Sequence, residues 1–81
     1  MTTHQVMYEG PSSLAVRVAT LLADAEGIEL RSAEKQEGPG RPVETVLLAL
    51  TVDGTTEEVA AAVGAIRHGL PAGASITVQD P

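Results

Sequence analysis

The sequence contains no cysteine, no phenylalanine and no tryptophan, and Tyr8 is its single aromatic residue. Without cysteine there is no disulfide scaffold, no thiolate zinc site and no thiol nucleophile. Without large aromatic rings the core must be built from Leu, Val, Ile and Ala, which bury less area per residue. Positive charge is also scarce. Only Arg17, Arg31, Lys35, Arg41 and Arg67 are cationic against 11 acidic residues, for a net charge of −6. Binding to nucleic acid depends on neutralising phosphates, so that class of partner is not expected. No apolar run approaches the roughly 20 residues that a membrane-spanning helix requires. The opening MTTHQVMYEG has no basic segment followed by an apolar one, so no signal peptide is read there and a cytoplasmic location is the expectation.

What remains is a chain of 81 residues, enough for one small domain covering 1–81. A domain of this size buries a modest core, and a second copy is the simplest way to bury more surface. A homo-oligomer or a protein partner is therefore expected. Abundant Ala, Gly and Val with a single Lys fits a GC-rich bacterial genome.

Hydrophobic spacing divides the chain into six elements. Residues 3–8 read as a strand with Val6 and Tyr8 on one side and Met7 on the other. Residues 12–26 read as a helix. Leu14, Val18, Leu21, Leu22 and Ala25 form one apolar stripe, Ser12 or Ser13 serves as N-cap, and Gly27 lies past the end. Residues 28–35 alternate as a half-exposed strand, and the Gly- and Pro-rich 36–42 forms a loop. VETVLLALTV, residues 43–52, is apolar on both faces: Val46, Leu48, Leu50 and Val52 on one, Val43, Leu47 and Ala49 on the other. Such a strand belongs at the centre of a sheet. Thr55 followed by Glu58 has the spacing of a capping box, and a helix runs from there to about His68. Residues 74–79 close the chain as a strand with Ile76 and Val78 inward.

The order strand, helix, strand, strand, helix, strand predicts an α+β fold. The economical arrangement, and the one expected, is the ferredoxin-like βαββαβ sandwich, a four-stranded antiparallel sheet with two helices on one face. The first and third strands would be central. The second apolar face of the third strand, with Val43, Leu47 and Ala49, would then lie on the helix-free side, where a partner is expected.

The stretches GPSSLAVRVATLLADAEGIEL and LALTVDGTTEEVAAAVGAIRHGL, in this order, resemble the ACT and ACT-like regulatory domains. The resemblance covers most of the chain. It implies that the loop before the first helix, at Glu9, Gly10, Pro11 and Ser12, helps bind an amino acid at a subunit interface. Glu9 stands beside the turn where the family usually carries Asp or Asn. Members often regulate an attached enzyme, and a free-standing version resembles an accessory or effector-associated protein. The related heavy-metal-binding domains need a cysteine pair at the first loop, which this chain lacks.

The chemistry-bearing residues are few. Gly10, Pro11, Ser12 and Ser13 form the candidate ligand-binding turn, since free amides at a helix start attract anions; an ordinary turn and cap, beside the negative Glu9, accounts for the same residues. Asp53, Glu57 and Glu58 could suggest a cation, but calcium loops need more oxygen ligands at fixed spacing. His4 and His68 lack a second histidine at ligand spacing and read as surface residues. Tyr8 has no evident base and reads as a rim or core residue. Ala61 and Gly64, on the outer face of the second helix, are small enough to let another chain approach closely. With Val43, Leu47 and Ala49 they make up the candidate interface. No catalytic residue, metal site or cofactor is assigned.

Three functions compete on this reading. The first is a non-enzymatic interaction or regulatory module acting as a homo-oligomer or accessory subunit. The second is a sensor of an amino-acid-like small molecule at a dimer interface. The third is a compact enzyme with a site in a dimer cleft, which would want aromatics and an oriented His or Asp facing a cavity.

Overall fold

The computed structural model describes residues 2–36 and 45–79. Four strands and two helices follow one another as β1 (Thr2–Pro11), a short 3-10 turn (Ser12–Leu14), α1 (Ala15–Asp24), β2 (Glu29–Gln36), β3 (Thr45–Gly54), α2 (Thr56–His68) and β4 (Ser75–Val78). The strands form one open antiparallel sheet in the order β2-β3-β1-β4. The fold is α+β with two helices, and β1 and β3 occupy the centre of the sheet.

The central pair is long because both strands can bury one face completely. β1 and β3 run in unbroken register from Thr2 opposite Gly54 to Pro11 opposite Thr45. Val6 and Tyr8 on β1, and Val46, Leu48, Leu50 and Val52 on β3, all point to the helices. They meet Ala15, Val18 and Leu22 of α1, Val59, Val63 and Ile66 of α2, and Ile76 of β4 in a single core. The strand expected at 43–52 is therefore found, its described part shifted to 45–54. Val43 and residues 37–42 lie outside the described residues, and Gln36 ends β2.

Edge strand β2 carries a bulge between Leu30 and Ser32. The extra residue, Arg31, leaves the ladder and its guanidinium reaches Asp53, 3.3 Å away. Beyond the bulge the alternation changes phase, so that Ala33 rather than Ser32 pairs with core-facing Leu50.

Helix α2 begins as its sequence predicts. The Glu58 amide donates to Thr55 Oγ1 at 3.1 Å, and the Thr55 hydroxyl donates to Glu58 Oε1 at 3.0 Å. Glu57 and Glu58 in the first turn and Arg67 and His68 in the last suit the helix dipole. The Glu58 carboxylate also folds over Gly27, where φ is +79° and any Cβ would collide with it. Glycine is therefore favoured at this turn by its conformation, whereas the flexible Glu58 side chain can swing aside from a Cβ.

The start of α1 corrects the sequence reading. Gly10 and Pro11 belong to β1, not to a turn, and the chain enters the helix through the 3-10 turn. Neither the 3-10 turn nor α1 receives a side-chain cap, so Ser12 and Ser13 do not cap a helix. Pro11 holds φ at −55° and ψ at 134°. This extended geometry carries the strand forward until the serines lie inside the 3-10 turn, not before it.

The two helix starts should respond differently to mutation. Thr55→Ala is expected to cost about 1 kcal/mol and to lower the melting temperature by roughly 4–8 °C. Changing both Ser12 and Ser13 to alanine should stay within about 0.5 kcal/mol of the parent. Thermal melts by circular dichroism check the pair, and equal losses would contradict the assignment.

Two polar residues lie in the core, and only His4 is unexpected there. His4 is 4 % exposed, not on the surface, because β1 is central and position 4 shares a face with Val6 and Tyr8. Tyr8 is fully buried and its hydroxyl donates to the Pro11 carbonyl at 2.9 Å. Burial pushes the Tyr8 pKa above its ordinary 10.0. The neutral phenol therefore stabilises the fold below pH 10, and that contribution is lost as pH rises through the raised value.

Candidate functional site

Three surfaces could carry function, and each follows from where the helices fall. Both helices cover the same face of the sheet, and no other element among the described residues covers the opposite face. On that open face Met7 pairs with Ala49, and Leu47 lies two residues before Ala49 on β3. These three residues are half-buried and form an apolar centre. Around them stand Gln5, Glu9, Glu34, Gln36, Thr51 and Thr77. Thr51 Oγ1 and Gln5 Oε1 are 3.5 Å apart, and at the corner Asp53 accepts from Thr3 Oγ1 at 2.6 Å. The open face is thus an apolar patch with a hydrogen-bonded polar margin.

The second surface is the groove between the helices. The first turn of α1 lies against the end of α2, and Ala25 after α1 lies against Ala62, so the helices run antiparallel. Between them is a cavity of about 350 Å³ reaching from Leu14, Arg17 and Leu21 to Ala65, Ile66 and Leu70. A further space of about 200 Å³ continues from Leu21 to Ala25 and Ala62. Leu21 belongs to the apolar stripe yet remains 43 % exposed. The facing residues of α2, Ala62 and Ala65, are too small to close over it.

The third surface is the segment Gly10–Ser13, where β1 ends and the 3-10 turn begins. Gly10 is buried, and a Cβ there would stand 2.9 Å from the Cα and Cβ of Ala74 and 2.9 Å from the Tyr8 hydroxyl. Its glycine is explained by this close approach, without any ligand. Pro11 and Ser12 are half-buried and Ser13 is exposed. None of the four lines the 350 Å³ cavity, which begins at Leu14. The candidate ligand turn and the cavity are neighbours in sequence without sharing a wall.

The remaining sequence candidates are scattered. Leu47 and Ala49 come together with Met7 on the open face, whereas Ala61 and Gly64 lie exposed on the outside of α2, with nothing within 4 Å of the place where a Gly64 Cβ would be. The carboxylates near position 53 are separated by their partners: Asp53 faces Thr3 and Arg31, and Glu58 faces Thr55. Among the described residues no three His, Asp or Glu side chains gather where they could hold a metal ion. His68 is exposed at the end of α2.

Arg17, Leu21 and Ala65 were not singled out by the sequence as a site. The signal available was a large stripe residue on α1 with only alanines to meet on α2. Arg67, by contrast, has a structural task. Its Nε and Nη2 both donate to the Ile76 carbonyl, at 3.1 and 2.9 Å, fastening α2 to β4.

Among the described residues no helix is long and apolar enough to cross a membrane. No family model matches the chain, and no curated protein matches it in sequence.

Proposed function

We propose that this chain is a non-enzymatic interaction or regulatory module, a ferredoxin-like domain of ACT-like type that self-associates through the open face of its sheet. The observation that carries the reading is the apolar centre Met7, Leu47 and Ala49 on the face that neither helix covers. The strand order, with β1 and β3 central and every pair antiparallel, supports the ferredoxin-like assignment. Contiguous apolar patches with polar rims mark interaction sites on small proteins. A small core built without Phe or Trp gains from any further apolar area removed from water.

Charge opposes this association. Each chain carries −6, and the open face includes Glu9, Glu29 and Glu34. Raising ionic strength screens that repulsion, so self-association should strengthen with salt. The test is light scattering on the parent and on Leu47→Glu, with circular dichroism as the control for folding. The parent should give more than the monomer mass, increasingly so between low and high salt. The variant should give the monomer mass with an unchanged spectrum. A parent that stays monomeric at high concentration and high salt, or a variant that assembles as the parent does, would reject the proposal.

A further inference from the structure

We infer that the groove between α1 and α2 is a binding site for a small amphiphile carrying a carboxylate, its head at Arg17 and its apolar chain along Leu21, Ala65 and Ile66. The site lies on the opposite side of the sheet from the proposed self-association face and does not depend on it.

Size and lining define the apolar part of the ligand. The 350 Å³ cavity falls at the lower end of the range for small-molecule sites, and the 200 Å³ space shares Leu21, Ala65 and Ile66 with it, so one groove serves both. An unbranched chain entering at Leu14 and Leu70 can continue past Leu21 toward Ala25 and Ala62. The alanines that leave this space are the cause of the groove. A leucine at position 65 would fill it from the α2 side.

Charge selects the head group. Among the described residues Arg17 is the one charged residue lining the cavity and no acidic side chain lines it, although acidic residues outnumber basic ones 11 to 5 in the chain. Among the described residues no ion pair or hydrogen bond engages the Arg17 guanidinium. At this end of the groove the start of α1 meets the end of α2, so the two helix dipoles oppose one another and Arg17 decides the local sign. The guanidinium presents a planar fork of donors that matches a carboxylate. A cationic head would meet Arg17 with like charge and find no acidic wall residue among the described residues to compensate.

The test uses the intact protein, amide NMR and three probes of equal chain length: octanoate, octanol and octylamine, each below its aggregation threshold. Octanoate should shift amides within 14–25 and 62–70, with a dissociation constant on the order of a millimolar for so small a ligand. It should bind about fivefold more tightly than octylamine, and Arg17→Gln should remove that preference, as expected for one partly exposed ion pair. Ala65→Leu should abolish the shifts while leaving the remaining spectrum in place. The inference is overturned if octanoate and octylamine bind the parent alike. It is equally overturned if the shifts fall on the open sheet face or do not occur. An Ala65→Leu protein whose mass falls in the absence of ligand would also overturn it, because the groove would then be filled by a second copy. The comparison of octanoate with octylamine needs no variant, so it holds even if a substitution disturbs the fold.

Discussion

Leu50→Ala is expected to lower stability by about 3 kcal/mol and the melting temperature by roughly 12–24 °C. Leu50 is fully buried on central strand β3, among the largest side chains of a core that has one aromatic residue. Removing its outer methyls leaves a cavity that β-sheet neighbours such as Val6 and Val52 are too constrained to fill. A small domain has only about 5–15 kcal/mol to lose, so the variant should be partly unfolded at modest temperatures. Leu47, three residues earlier on the same strand, faces the other way and is only half-buried. In dilute solution, where chains are separate, Leu47→Ala should cost less than about 1 kcal/mol. Urea titrations of both variants at low concentration check the contrast. Equal losses would mean that the two faces of β3 are not the core and the open surface described above.

The second large effect concerns the end of β1. Gly10→Ala is expected to cost about 2 kcal/mol, within the range for forcing a methyl group into filled space. The added Cβ meets the Cα of Ala74 at 2.9 Å, so backbone rather than a flexible side chain must give way. It also meets the Tyr8 hydroxyl, whose bond to the Pro11 carbonyl fixes the end of β1. If Gly10 instead serves a ligand, Gly10→Ala should leave the unliganded melting temperature near that of the parent and remove only ligand-dependent stabilisation. Paired melts with and without an amino acid panel separate the two outcomes. A loss already present without ligand assigns the glycine to close approach between β1 and the segment before β4.

The elements most legible in the sequence were those whose pattern and end signals agreed. In α2, Thr55 and Glu58 mark the start and the stripe Val59, Ala62, Val63 and Ile66 marks the inward side, and both features recur in the structure, with Ala62 half-buried and the other three buried. In β3, alternation of Val46, Leu48, Leu50 and Val52 with a second apolar set pointed to a central strand, and the sheet order places it there. Local rules were weaker where two of them competed. Ser12 and Ser13 have the chemistry of caps, but Pro11 extends β1 past the position a cap would need, so the serines fall inside a 3-10 turn. His4 has polar neighbours in sequence and reads as exposed, yet strand periodicity on a central strand turns it inward. In β2 a strict two-residue alternation fails at Arg31, because one bulged residue reverses the phase of everything after it.

The candidate surfaces divide in the same way. The open face was legible because a strand with two apolar faces needs two layers, and the chain has only enough helix for one of them. The groove was not legible because it depends on which residues of α1 and α2 meet. Leu21 counts as core by spacing alone; only the antiparallel approach of Ala62 and Ala65 leaves it partly uncovered.

Sedimentation equilibrium of the parent protein over a wide concentration range, in high salt, tests the proposed self-association most directly. The expected result is a mass that rises with concentration from the 8.3 kDa of one chain toward twice that value. A mass that remains 8.3 kDa at the highest concentration would show that Met7, Leu47 and Ala49 do not hold two copies together, and would contradict the proposal.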